Sequence, residues 1–283
     1  MTDMKGLFVT AIMVVGVGAR AGAAELQRAT VDAWQEYVRA ADARMQARLG
    51  GGKPFLWLDE APDRALRVRR NEVIVAPLPE HGTRAVPGGL IHDWIGAIFI
   101  PNASIESLLR VVRDYDRYKE IYKPVVADSR SLNSGATDQE FSMVWQRHVL
   151  FVNAAMQGHY RAHVVIVGAH RGYTVVSTTK LQEIEGYGQR GEHLLPPDIG
   201  GGFLWSIHSI SRYEERDGGL YLEVEAIALS RDIPASLRWL VNPVVNHLSV
   251  NSLATTLRQT REALGTLQVA QRRLMLREHR GLN

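Results

Sequence analysis

The sequence predicts an α+β fold: a curved antiparallel sheet wrapped around a long C-terminal helix, with an internal apolar cavity between the two. Three observations predict it. Phe203 to Glu215 and Leu220 to Arg231 read as strands joined by the hairpin signal Asp217-Gly218-Gly219. A long apolar-striped helix follows Ile233-Pro234. Pro101 to Tyr118 supplies a second amphipathic helix ahead of the strands, ending Asp114-Tyr115-Asp116-Arg117-Tyr118.

The first residues read as a leader. Lys5 gives a positive start, Leu7 to Val17 is apolar, and Ala19 to Ala24 is rich in small residues apart from Arg20. That pattern predicts an export signal over 1–24, cleaved after Ala23 or Ala24, and a periplasmic or extracellular protein. The chain has no cysteine, so neither a disulfide nor a lipidated cysteine holds it. Without residues 1–24 the formal charge of +3 becomes +2. Such balance points to no nucleic-acid partner.

Leu26 to Leu49 reads as a helix, with Val31, Trp34, Val38 and Ala41 at helical spacing and Gly50-Gly51-Gly52 as its stop. With its linker it makes an N-terminal segment over 25–65. Leu66 to Leu78 reads as extended, on Val68, Val73, Ile74 and Val75. Ile91 to Ile100 is a strand. Asn102 or Ser104 caps the next helix, whose apolar face carries Ile105, Leu108, Val112 and Tyr115, and Pro124 ends it. From Val125 to Arg231 five or six strands follow, joined by short polar turns, which indicates an antiparallel meander. Among them are Phe141 to Arg147, Tyr160 to Val167 and Tyr173 to Ile184.

In the closing segment, Pro243 suits a first helical position with Asn242 as cap. A turn over Ala235 to Val241, a kink or break, and a helix from Pro243 to at least Leu264 are therefore expected. Domain 66–265 ends there. A basic helical tail over 266–283 carries Arg272, Arg273, Arg277 and Arg280. It is either solvated or makes a transient membrane-surface contact.

Two runs resemble a known family. Ile100-Pro101-Asn102-Ala103 leading into the helix ending Arg113-Asp114-Tyr115-Asp116-Arg117-Tyr118 resembles the second helix of START-related domains. The run Ile233-Pro234-Ala235-Ser236-Leu237-Arg238-Trp239-Leu240-Val241-Asn242 resembles their closing helix. The resemblance spans Leu66 to Leu264. It implies a helix-grip fold with an apolar cavity, in a superfamily that includes lipid-transfer modules and polyketide cyclases. It implies a lipid-like or other apolar small molecule as partner. It implies no universal catalytic set, and the Pro243 interruption departs from the pattern.

An apolar pocket needs an apolar lining and a few orienting polar groups. The candidates for ligand binding are Trp94, Trp145, Arg147, Tyr160, Trp205, His208 and Trp239. Arg147 shares a strand face with Trp145. Trp205 and His208 fall on opposite faces of a regular strand, so only one of them points inward. No catalytic residue, metal or cofactor is assigned. Gly186-x-Gly188-x-x-Gly191 fits a dinucleotide fingerprint by letter, but Pro196-Pro197 follows where a helix is needed. The 186–202 loop is either a lid over the cavity or a surface excursion. His159 and His163 stand about 13 Å apart on a strand, too far for one metal. Glu223 and Glu225 share a face and are either a carboxylate pair or a solvent-facing strip.

Two functions remain. One is binding or carriage of an apolar molecule. The other is cyclase- or hydrolase-like chemistry in the same cavity, with Arg147, His208 and Tyr160 as candidate acid–base groups.

Overall fold

The computed structural model describes residues 24–78, 82–149, 152–201, 204–232 and 235–281. The leader expected over 1–24 lies outside the described residues, except for Ala24. In chain order the elements are β1 (Ala24–Glu25), α1 (Arg28–Leu49), α2 (Pro62–Arg69), β2 (Ile74–Pro77), β3 (Thr83–Val86), β4 (Gly89–Pro101), α3 (Ile105–Val112), α4 (Tyr118–Ile121), β5 (Val126–Ser134), β6 (Asp138–Val149), β7 (Val152–Ile166), β8 (Arg171–Glu185), β9 (His193–Leu194), β10 (Ile199–Gly200), β11 (Ser206–Arg216), β12 (Gly219–Arg231) and α5 (Ala235–Gly281).

The main sheet runs β2-β4-β12-β11-β8-β7-β6-β5 and its pairs are antiparallel. The consecutive strands form the expected meander. The last long strand, β12, returns beside the first, β4, along thirteen residues from Gly219–Pro101 to Arg231–Gly89. The margins are irregular. β2 and β3 are four-residue strands that pair with different parts of β4. On the other margin β5 shifts register against β6 twice, at Val126/Asp128 and Ser131/Asn133.

α3 forms where expected because its capping is complete. Ser104 Oγ accepts from Ser107 N (3.1 Å), and Ser107 Oγ accepts from Ser104 N (2.9 Å). Its buried face is Ile105, Leu108 and Val111, one step from the Val112 expected. The chain continues as a 3-10 turn, Tyr115–Arg117, and then α4.

α5 packs on the concave sheet face over Gly96. A side chain at Gly96 would start 2.7 Å from Leu257 Cδ1 and 2.9 Å from Leu253 Cγ. Glycine is what lets the helix lie this close. Leu253, Leu257 and Leu264 then join Trp94, Ile98, Leu108 and Leu222 in one apolar cluster. A sheet gripping its C-terminal helix is thus observed.

Two expectations are corrected. Leu66 to Arg69 is the end of helix α2, not extended chain, because Pro62 opens a helical turn with Asp63 beside it and Arg67 and Arg69 close it. α5 runs unbroken through Pro243, which forfeits a single backbone bond in a helix of 47 residues. The 186–202 loop runs over the surface, as one of the two readings had it, but it is pinned at two points. β9 pairs with β8 at Ile184 and Glu185, and β10 pairs with the chain start at Ala24 and Glu25.

The convex sheet face is covered as well. Tyr37, Ala41 and Met45 of α1 and Leu56 to Leu58 pack on Ile91, Ile95, Phe99, Ile210, Ile227 and Leu229.

Candidate functional site

The concave face is built by strand alternation. Along β11 and β12 the residues facing α1 are buried: His208, Ile210 and Arg212, then Glu223, Glu225, Ile227 and Leu229. Their neighbours on the concave side, Ile207, Ser209, Ser211, Val224, Ala226 and Ala228, are only half-buried. Most of these side chains are small. Val224 and Ala226 pack toward the cluster that α5 and α3 share, and Ile207 packs toward the β6–β7 end, where Tyr115, Phe141 and Tyr160 stack at centroid distances of 4.0 and 5.0 Å. α5 is tied to α4 by Gln259 Nε2 donating to the Lys123 carbonyl (2.7 Å) and by the Tyr122–Thr260 hydroxyl pair (3.1 Å).

Of the candidate residues, the structure brings Trp145 and Tyr160 together in the apolar cluster around this stack. Tyr160 folds back over Gly158, whose missing side chain leaves room for the ring. The Tyr160 hydroxyl and the Trp145 Nε1 are buried beside one another, the indole N–H pulling the Tyr160 pKa down slightly against its burial. Burial drives the Tyr160 pKa far up, so its hydroxyl stays protonated and is available as a donor. Trp94 lies on the same sheet face at the far side, in the α5 cluster and against Gly82. The side chains of Arg147 and Trp239 lie outside the described residues.

Trp205 and His208 are corrected. Neither lies on the α5 side of the sheet. Trp205 precedes the first residue of β11, so strand alternation does not govern it, and it packs in the convex-face core. His208 is on β11 but faces α1, where Nε2 lies 3.0 Å from Asp42 Oδ1 and Nδ1 lies 2.8 Å from Ser177 Oγ. A cleft of about 250 Å³ opens there between α1 and the sheet.

Glu223 and Glu225 are corrected too. They are not a solvent-facing strip: they are 0% and 4% exposed, under α1. Arg212, 1% exposed, binds Glu223 (2.5 Å) and Glu225 (3.2 Å). Glu223 also accepts from the backbone N–H groups of Trp57 (2.9 Å) and Leu58 (3.3 Å). Arg44 of α1 reaches Glu225 at 2.9 Å, and the Tyr37 hydroxyl donates to Asp93 at 2.8 Å. Burial, and then Glu225 nearby, push Asp93 up to about 7. The network is a buried, charge-compensated joint between α1 and the sheet. Strand alternation placed these side chains on one face; only knowing that α1 covers that face could have revealed their burial.

No protein-family model matches the chain, and no curated protein matches it. Among solved structures the chain is similar to a STAR-related lipid transfer protein from Xanthomonas axonopodis, at 16% identity and TM-score 0.42, over 65% of this chain and 98% of that one. It is similar to human STARD10 at 12% identity and TM-score 0.41, over 77% and 85%. It is similar to the Zhui aromatase/cyclase from Streptomyces at 13% identity and TM-score 0.38, over 60% and 93%. At such values function has to be read from the chain's own side chains.

Proposed function

We propose that the protein binds an apolar, lipid-like molecule between the sheet and α5. The observation that supports this reading is the alternation along β11 and β12. Buried residues face α1, while Ser209, Ser211, Val224, Ala226 and Ala228 stay half-buried on the concave side. Small side chains on a sheet face between aromatic and leucine-rich clusters leave volume for a guest, and apolar surface left there favours filling it. In this reading the protein carries its ligand, and the 1–24 leader exports the chain to the periplasm or beyond the cell.

The test has two parts. Native mass spectrometry of the chain purified from its producing cell should show a copurified lipid. Ala226→Trp should occupy this space and weaken binding of cis-parinaric acid at least about tenfold, at a stability cost of about 1–3 kcal/mol that leaves the chain folded. An empty wild-type protein, together with unchanged binding in the variant, rejects this space as the binding site.

A further inference from the structure

We propose a second site on the convex side of the sheet, where Ser177, His208 and Asp42 form a nucleophile, a base and an orienting carboxylate that cleave short-chain carboxylic esters. The Ser177–His208 pair is the last rung joining β8 to β11. Beyond it the Thr178 hydroxyl takes over, accepting from Ile207 N (3.1 Å) and donating to Ile207 O (3.3 Å). At the same point β8 shifts register against β7, with Thr178 and Lys180 opposite the adjacent Tyr160 and His159. A register shift of this kind bends the strand and re-aims its side chains. The strands part here, and the resulting cleft is lined by Ser177 and His208 from the sheet and by Trp34, Gln35, Val38 and Arg39 from α1.

The geometry meets the requirements for an activated hydroxyl. The nucleophile lies within hydrogen-bond reach of one ring nitrogen (2.8 Å) and the orienting carboxylate within reach of the other (3.0 Å). Nε2–H donated to Asp42 leaves Nδ1 as the acceptor for the serine proton. The two nitrogens are exchanged relative to the usual serine-protease order. The chemistry needs only that one nitrogen takes the proton while the other is held. His208 is buried and fixed, whereas Asp42 is 45% exposed at the rim. A polar strut between helix and sheet would need the His208–Asp42 bond alone. The cleft at the serine is what a reaction site adds.

In the first step Ser177 Oγ bonds to the ester carbonyl carbon as His208 Nδ1 takes the hydroxyl proton. The carbonyl oxygen becomes an oxyanion, for which the Gln35 amide and the Arg39 guanidinium are the side-chain donors on α1. The carbon–oxygen bond to the alcohol then breaks, and the alcohol leaves with the proton from His208. Water repeats the sequence on the acyl-serine, giving up its proton to His208 and releasing the carboxylic acid and free Ser177. Trp34 and Val38 give the acyl group an apolar wall. A volume of about 250 Å³ is smaller than the usual range for drug-sized ligands and selects short chains.

The experiment treats the full chain with a fluorophosphonate probe and reads intact mass and the modified peptide. One adduct at Ser177 is expected, absent in Ser177→Ala. With p-nitrophenyl butyrate, Asp42→Asn should lower kcat at least about tenfold while KM and the unfolding midpoint hold, because Asp42 orients the base and does not touch substrate. An unlabelled wild-type chain, an adduct at another residue, or full kcat in a folded Asp42→Asn variant overturns the proposal. Should that variant not fold, the wild-type and Ser177→Ala labelling decides alone.

Discussion

His92 and Asp93 are neighbours on β4 and face opposite sides of the sheet, so their titrations pull stability in opposite directions. His92 bonds Ser230 at 2.9 Å, and burial lowers its pKa to about 4. Between pH 4 and 6.5 the unfolded chain therefore holds more protons there, and stability rises with pH. Asp93 is raised to about 7 by burial and by Glu225, against the pull of Tyr37, Arg44 and Arg212. Between its ordinary carboxylate range and pH 7 the folded chain holds the extra proton, and stability falls as pH rises. Over pH 4 to 6.5 these two contributions oppose each other. Asp93→Asn should unmask His92, so that urea-unfolding stability drops by about 2–3 kcal/mol on acidifying from pH 6.5 to 4. His92→Gln should unmask Asp93, with a loss of similar size between pH 4 and 7. Parallel profiles in the two variants would refute this account. At this scale much was legible in the chain and some was not. The alternation Phe141, Met143, Trp145 identified side chains that share a face. It could not tell that Glu223 and Glu225 lie under a helix 181 residues away from Glu225 along the chain at Arg44, because burial of a strand face depends on what lands there.

At the scale of elements, α5 depends on a single missing side chain. Gly96→Leu would place Cβ at 2.7 Å from Leu257 Cδ1, inside any real contact, in a cluster with no slack. Overpacking of this kind costs about 1–3 kcal/mol. The variant should unfold at lower urea, and cis-parinaric acid binding should weaken with it as α5 lifts from the sheet. An unchanged midpoint would show that α5 does not bear on β4. The long strands and α3 were readable because alternation, the Asp217-Gly218-Gly219 hairpin and the Ser104 cap are local signals. α2 was not, since Ala65, Leu66 and Val68 among arginines at 64, 67 and 69 give no clear period over eight residues. The Pro243 stop failed for a different reason: one lost bond is small beside the rest of a 47-residue helix.

For the molecule as a whole, the sheet is covered on both sides, and α1 is part of the fold and not an appendage. Its Tyr37, Met45 and Arg44 complete a core and a charge network that the sheet cannot complete alone. A chain lacking 24–49 would leave Glu225 without Arg44 and would bare Ile91, Ile227 and Leu229 to water. Glu225 keeps Arg212 at 3.2 Å, so the larger cost is the apolar surface laid open, about 25 cal/mol per Å². That variant should precipitate or bind anilinonaphthalene sulfonate strongly, whereas a soluble, cooperatively unfolding product would mean that the sheet stands without its cover.

The margins of the same sheet carry a consequence for how copies of this chain meet. A strand recruited from a neighbour needs a straight run of free amides and carbonyls to copy. β2 and β3 each offer four residues, with Pro77 closing one of them, and β5 steps out of register twice within nine residues. A foreign strand would lose its template after a few rungs at either border. The molecule thereby resists fibrous self-stacking through backbone irregularity, and on the β5 border the turn before α4 adds to it, since Asp116 Oδ1 already accepts from Ser131 N (3.0 Å).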